Sequence, residues 1–214
     1  MSEIDPQLLK HKYLYVPYSE KIDTMPIGKA VGLYVAQQHR ASLTVVTVQK
    51  SNAAFHPEFK NLTVVTERSG TVREGGVVIA WCPTMKVMDK ISHLAESIVV
   101  AVEWPATRLE GWAKLVGAYN VFTRQAMQSG LSEAGTRALN EIVEEGYNGW
   151  HDDIARTLAL GHLQELRDSG SYDREIVLAF ARRAKGEYSI GNLVKILDTL
   201  ESSSPGSTRS HLDL

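Results

Sequence analysis

The chain has 214 residues, 43% of them hydrophobic and 22% charged, with a formal net charge of −2 at pH 7, ordinary values for a globular protein that needs no metal or disulfide to build a core. Its one cysteine, Cys82, excludes an intrachain disulfide and points to a reducing compartment. MSEIDPQLLKHKYLYV carries acidic residues and no apolar run, so it does not read as a secretory signal. No apolar stretch approaches the ~18 residues of a membrane helix, and a cytoplasmic location is the expectation. Charge is uneven. Residues 1–130 hold a small surplus of Lys and Arg, which suits a small anionic ligand, and residues 131–200 a surplus of Asp and Glu, which argues against nucleic acid as a partner.

In chain order, KYLYVP (12–17) reads as a strand, closed by Pro17. TMPIGKAVGLYVAQQH (24–39) reads as a helix with Asp23 or Thr24 as cap and Pro26 in the first turn. Gly28, Gly32 and Ala36 beside its apolar stripe would let it approach a sheet closely. SLTVVTV (42–48) is a second strand, rich in β-branched residues as a strand buried on both faces would be. Residues 49–60 read as a long polar loop, LTVVT (62–66) as a third strand, and Ser69-Gly70 as the turn of a small hairpin with TVR. VVIAW (77–81) is a fourth strand, followed by a helix from Thr84 with Met85, Met88, Ile91, Leu94 and Ala95 at helical spacing. SIVVAVEW (97–104) is a fifth strand. Thr107 and Glu110 then make a capping box for a helix with Leu109, Trp112, Ala113, Val116, Tyr119 and Phe122 on its buried face.

After Gln128-Ser129-Gly130 only helices are expected, over 132–145, 151–168, 172–185 and 189–200, with Gly146, Gly149 and Gly170 as punctuation. The fold class is therefore α/β, a Rossmann-like sheet of five strands, mostly parallel or mixed (1–128), followed by a helical bundle (129–200) that is either a domain or a layer on the sheet. Residues 201–214 read as a disordered tail.

Ligands of open α/β sheets sit outside the carboxyl ends of the strands. That rule selects Tyr18 and Ser19, Lys50 and Ser51, Glu67 and Arg68, Cys82 with Pro83 and Thr84, and Glu103 with Trp104. Cys82 precedes a helix N-terminus, whose dipole can lower a thiol pKa, and a small buried hydrophobe is the plainer role. Glu103 could serve as a base or bind a ribose hydroxyl, or point to solvent at the strand's exit. Tyr18, Ser19, Lys50, Ser51, Arg68, Thr84 and Trp104 are the candidate ligand contacts. Glu110, in EGWAKLVGAYN after a strand, resembles over this short stretch the helix glutamate of nucleoside deoxyribosyltransferase-like enzymes, but the N-terminal signature is missing and the capping box accounts for it. No GxGxxG or GxxxxGK[ST] occurs. The histidines form no HExxH or Cys/His cluster, so no metal site is expected. His162 reads as a core or interface histidine, and Asp152 and Asp153 as first-turn acids of a helix. DIARTLALGHLQELRD lacks the basic recognition helix of a DNA-binding motif.

Two functions follow as expectations. One is binding of a small anionic or nucleotide-like ligand at the sheet's carboxyl edge, with transferase or hydrolase chemistry at Cys82 or Glu103 and no cofactor identified. The other is a non-catalytic interaction module that forms a homo-oligomer or docks a partner through its helices, using apolar residues such as Trp150, Tyr172 and Tyr188.

Overall fold

The computed structural model describes residues 4–203. Within them the chain divides into two compact units that part between Ser129 and Gly130. In the front unit a 3₁₀ turn, Pro6–Lys10, leads into β1 (Tyr13–Val16), α1 (Met25–His39), β2 (Leu43–Thr47), α2 (Lys50–Ala54), β3 (Thr63–Thr66), β4 (Val77–Trp81), α3 (Met85–Ile91), β5 (Ile98–Val102), α4 (Glu110–Leu115), β6 (Tyr119–Asn120) and β7 (Gln125–Ala126). One seven-stranded sheet runs in the order β3-β2-β4-β5-β1-β6-β7. Every pairing is parallel except β6 with β7. The fold is α/β and Rossmann-like, with a helical C-terminal region.

Strand alternation builds both cores. Leu14, Val16, Val45, Val77, Ile79, Trp81, Val100 and Val102 point to one face, with Val31 and Val35 of α1 and Ala53 of α2. Tyr15, Val46, Val78, Ala80, Val99 and Ala101 point to the other, with Val87, Met88 and Ile91 of α3 and Ala113 of α4. The front unit thus covers both faces of its own sheet. The closeness of α1 comes from two glycines. A Cβ on Gly28 would lie 2.5 Å from Val102 Cγ2, and one on Gly32 would lie 2.2 Å from Ile79 Cδ1.

Four local expectations are corrected. The sheet has seven strands rather than five, because the helix expected through Phe122 stops at Leu115. Gly117, at φ +63°, turns the chain back, and Tyr119 and Asn120 pair with Leu14 and Tyr15 of β1. The antiparallel edge therefore comes from β6 and β7. The segment at Ser69 only turns: Thr66 N donates to Ser69 O at 3.0 Å, and no strand follows at 71–73. The long loop 49–60 holds α2 and a 3₁₀ turn, Pro57–Phe59. The capping box is absent as well. Thr107 forms an isolated bridge with Trp104, and Glu110 pairs with Lys114 at 2.9 Å.

The back unit consists of α5 (Glu133–Glu145), α6 (Asp153–Asp168), α7 (Arg174–Arg182) and α8 (Glu187–Ser202). Helix α8 extends past the expected start of the tail, and the rest of that tail, 204–214, lies outside the described residues. The stripes close as amphipathic helices should: Leu139 and Ile142 of α5, Ala159 and Leu163 of α6, Ile176 and Val177 of α7, and Leu193 and Leu197 of α8 are buried. Trp150, expected as a docking residue, is fully buried. Its indole Nε1 donates to Ile142 O at 3.1 Å, and its ring lies where a Cβ on Gly146 would stand, 2.4 Å away. Tyr172 is half-buried and donates to Glu201 Oε1, so of the three only Tyr188, 73% exposed, is available on the surface. Arg174 ties α7 to α8 through Asp198 and Glu201, both at 2.7 Å.

Candidate functional site

At the carboxyl edge the chain leaves β2 toward α2 on one face and leaves β4 toward α3 on the other. Connections that diverge from neighbouring strands open a crevice between them, the usual binding place of such sheets. A cleft of about 550 Å³ lies there. Its floor is Val48, Trp81 and Cys82, the residues at or just past the ends of β2 and β4. Met25 of α1 and Asn52 and His56 around α2 form one wall, and Thr84, Trp104 and Thr107 form the other.

The aromatic part of the cleft is ordered by packing. Trp81 is buried, with His56 set edge-on at 4.8 Å and Phe59 at 5.0 Å between ring centroids. Trp104 is 45% exposed, held by the Trp104–Thr107 bridge, with Thr107 N donating to Trp104 O at 3.0 Å. Burial, followed by the nearby Lys29 charge, holds His56 below the usual histidine range, so the imidazole is neutral at pH 7. Thr84 caps α3 by accepting from Val87 N and donates its hydroxyl proton to Glu67 Oε2 at 2.8 Å. Among the described residues, none that lines it is Lys, Arg, Asp or Glu. The cleft offers aromatic faces and neutral polar groups. One further hydroxyl is buried nearby: Thr47 Oγ1, on the β2 residue paired with Trp81, has no hydrogen-bond partner among the described residues.

Of the residues expected from sequence, Cys82, Thr84 and Trp104 meet in this cleft. Cys82 lies in surroundings that disfavour its thiolate. Its thiol is half-buried, points toward Met25 Sδ at 3.8 Å, and is pushed up to about 12 by burial. The expected pKa lowering at the helix N-terminus is outweighed by loss of hydration. Its backbone is unusual, at φ +46°, although it precedes Pro83 and a residue before proline is pushed toward extended conformations. Such a conformation costs about 1–3 kcal/mol and concentrates at functional sites.

Glu103 neither faces solvent nor lines the cleft. It is 2% exposed. Oε2 accepts from the Tyr15 hydroxyl at 2.9 Å and from Tyr18 N at 2.8 Å, and Oε1 accepts from Leu109 N at 2.8 Å. The carboxylate joins β1, the loop after it and the entry to α4. It supplies the N-terminal acceptor that the Thr107–Glu110 box was expected to provide. Burial and this carboxylate push the Tyr15 phenol above its ordinary range.

The remaining candidates do not converge. Tyr18 contributes only its backbone N–H to Glu103, and the Ser19 hydroxyl accepts from Lys21 N at 3.2 Å. Lys50 lines a separate hollow with Lys60 and Phe59. Ser51 and Arg68 are exposed. His56, Asn52, Met25 and Thr107 were missed. His56 and Asn52 lay in the segment read as a loop, and KSNAA (50–54) is too short to show an apolar stripe at helical spacing. In the back unit, Asp152 caps α6 by accepting from Ala155 N at 2.7 Å, and His162 lies 3.5 Å from Glu165. Among the described residues no group of three or more His, Cys, Asp or Glu side chains could hold a metal ion, and no helix is long and apolar enough to cross a membrane.

Comparison with known protein families, with curated proteins and with solved structures finds no match to this chain.

Proposed function

We propose that the front unit binds a small nucleotide-like ligand in the cleft between β2 and β4, with its planar ring among His56, Trp81 and Trp104. The observation that carries this reading is the crevice itself: about 550 Å³ at the carboxyl edge, walled by aromatic side chains and neutral polar groups, the usual make-up of a small-molecule site. Asn52 and Thr107 would read the polar edge of a heterocycle, the Thr84 hydroxyl already being engaged by Val87 N and Glu67. With no cation among the described lining residues, recognition centres on the base and sugar, and an anionic phosphate projects to solvent. Neither Cys82, protonated at neutral pH, nor Glu103, engaged by three donors, is poised for transferase or hydrolase chemistry, so the reading is one of binding.

The test is calorimetric titration of the full chain with adenosine, guanosine, cytidine and uridine and their 5′-monophosphates. At least one nucleoside binds saturably, and its monophosphate binds no tighter. Trp104→Ala weakens binding about tenfold or more, the worth of one base–aromatic stack. Absence of binding across the panel, or affinity indifferent to Trp104→Ala, removes the proposal.

A second reading rests on the back unit, which exposes Tyr147, Ile154, Leu158 and Tyr188. Ile154 and Leu158 are four residues apart on α6 and so share one side of it. Under this reading a second copy of the chain docks there. Native mass spectrometry distinguishes the two: a dimer abolished by Ile154→Glu with Leu158→Glu supports docking, and a monomer with a bound small molecule supports the cleft.

A further inference from the structure

A second cavity of about 340 Å³ lies on the other side of the first turn of α1. Met25 faces the nucleotide cleft, whereas Pro26, Ile27 and Ala30 face this cavity. The opposite wall is Leu8 of the N-terminal 3₁₀ turn with Val121 and Phe122 after β6. The body of the cavity is therefore aliphatic and aromatic, and its volume is at the small end of the range for small-molecule sites.

Among the described residues, its charged lining residues are Asp5 and Arg124. Asp5 is fixed in place: Oδ2 accepts from the Tyr119 hydroxyl at 2.5 Å and Oδ1 from Gln7 N at 2.9 Å. The Tyr119 ring is itself stacked on His11 at 4.6 Å. Those donors hold the Asp5 carboxyl below its usual range, and it is an anion at neutral pH. Each of its oxygens keeps a free acceptor direction, since a carboxylate offers about four. Arg124 is presented from the turn between β6 and β7 with a backbone φ of +56°, a conformation uncommon outside glycine.

A ligand carrying only a negative head would be attracted by Arg124 and repelled by Asp5, and a cationic head would meet the reverse. A head that carries both charges satisfies both. We infer that this cavity binds a zwitterionic apolar α-amino acid, with the side chain among Leu8, Ile27, Ala30 and Phe122, the carboxylate on Arg124 and the ammonium on Asp5. The site is separate from the nucleotide cleft and does not depend on that reading.

The experiment is calorimetric titration of the full chain with L-phenylalanine and L-leucine, and with 3-phenylpropionate and 2-phenylethylamine, each of which keeps one charge. An amino acid binds saturably, and each single-charge analogue binds about tenfold or more weakly, as expected for losing one charged hydrogen-bond partner. Arg124→Gln lowers amino-acid affinity by a similar factor, leaves 2-phenylethylamine no weaker, and is rescued by Arg124→Lys. Ala30→Trp fills the cavity and abolishes binding while circular dichroism stays native, and Trp104→Ala leaves binding unchanged. The inference is overturned if neither amino acid binds, if 3-phenylpropionate binds as tightly as L-phenylalanine, or if binding survives Ala30→Trp.

Discussion

Replacing Glu103 with alanine tests how the carboxyl edge is held together. The substitution strips acceptors from three donors at once: the Tyr15 hydroxyl, Tyr18 N and Leu109 N. A hydrogen bond to a charged group contributes about 1.5–3 kcal/mol, and a buried donor left unsatisfied costs a similar amount. Against that stands the relief of no longer burying a carboxylate, several kcal/mol in the opposite direction. Tyr18 is half-buried and water can reach it, whereas Leu109 is fully buried. The net loss works out at about 2–4 kcal/mol, a large part of the ~5–15 kcal/mol that stabilises a typical domain. Glu103→Gln retains one acceptor oxygen but turns an NH₂ toward a donor, and falls between wild type and alanine. Urea unfolding of the full chain gives the total. Because the chain has two units and two-state behaviour is not assured, amide hydrogen exchange localises the effect. Tyr18 and Leu109 amides lose protection by about 30-fold to several hundred-fold, the equivalent of that loss, while Ala155, capped by Asp152 in the back unit, is unchanged. A Glu103→Ala protein within about 0.5 kcal/mol of wild type, the range of ordinary surface changes, with both amides still protected, would refute the reasoning.

Gly32→Ala forces a methyl to 2.2 Å from Ile79 Cδ1 and costs about 1–3 kcal/mol by overpacking; Ile79→Val in the same chain recovers part of the loss, read as a non-additive coupling in denaturant titrations. With its thiol pushed up to about 12, Cys82 reacts with iodoacetamide at pH 7.5 about 100-fold or more slowly than a free cysteine of pKa ~8.5. Its rate keeps climbing through pH 10, and a plateau below pH 9 would contradict the burial argument. His56 is held below its ordinary value, so folding disfavours its proton. Its contribution is complete above the unfolded value of about 6.5 and is lost as pH falls through the window below it. The stability difference between wild type and His56→Gln therefore shrinks from pH 7.5 to pH 5.5, and a difference that grows on acidification would reverse the sign.

The element order was legible from local chemistry. Runs such as VVIAW and IVVAV carry so many β-branched residues that only strands buried on both faces suit them, and both lie at the centre of the sheet. The stripes of α5 to α8 likewise recur at helical period and are buried as expected. Gly28 and Gly32 were readable as a close-approach face because missing side chains on a stripe have few other uses. Where local pattern and tertiary pairing disagreed, pairing prevailed. Tyr119 continues the helical spacing of Leu109, Trp112 and Val116, but Gly117 at φ +63° reverses the chain, and the hydrogen bonds offered by β1 make it a strand.

The candidate site was legible only in outline. The carboxyl-edge rule found Cys82, Thr84 and Trp104, because strand ends are local features. It could not find His56, which reaches the cleft through α2, or separate Glu103 from that cleft, because both facts depend on contacts between residues far apart in sequence: 88 positions separate Glu103 from Tyr15. Charge and acidity were decided at the same level. From sequence, Cys82 sits before a helix that could acidify it and Glu103 at a strand exit that could expose it. Burial raises the first and three internal donors occupy the second. What the sequence by itself determined is backbone character, which follows from neighbours and periodicity. What the tertiary structure alone decided is which side chains share water, a pocket or a proton, because solvation and hydrogen bonding are set by whatever the fold brings within a few ångströms.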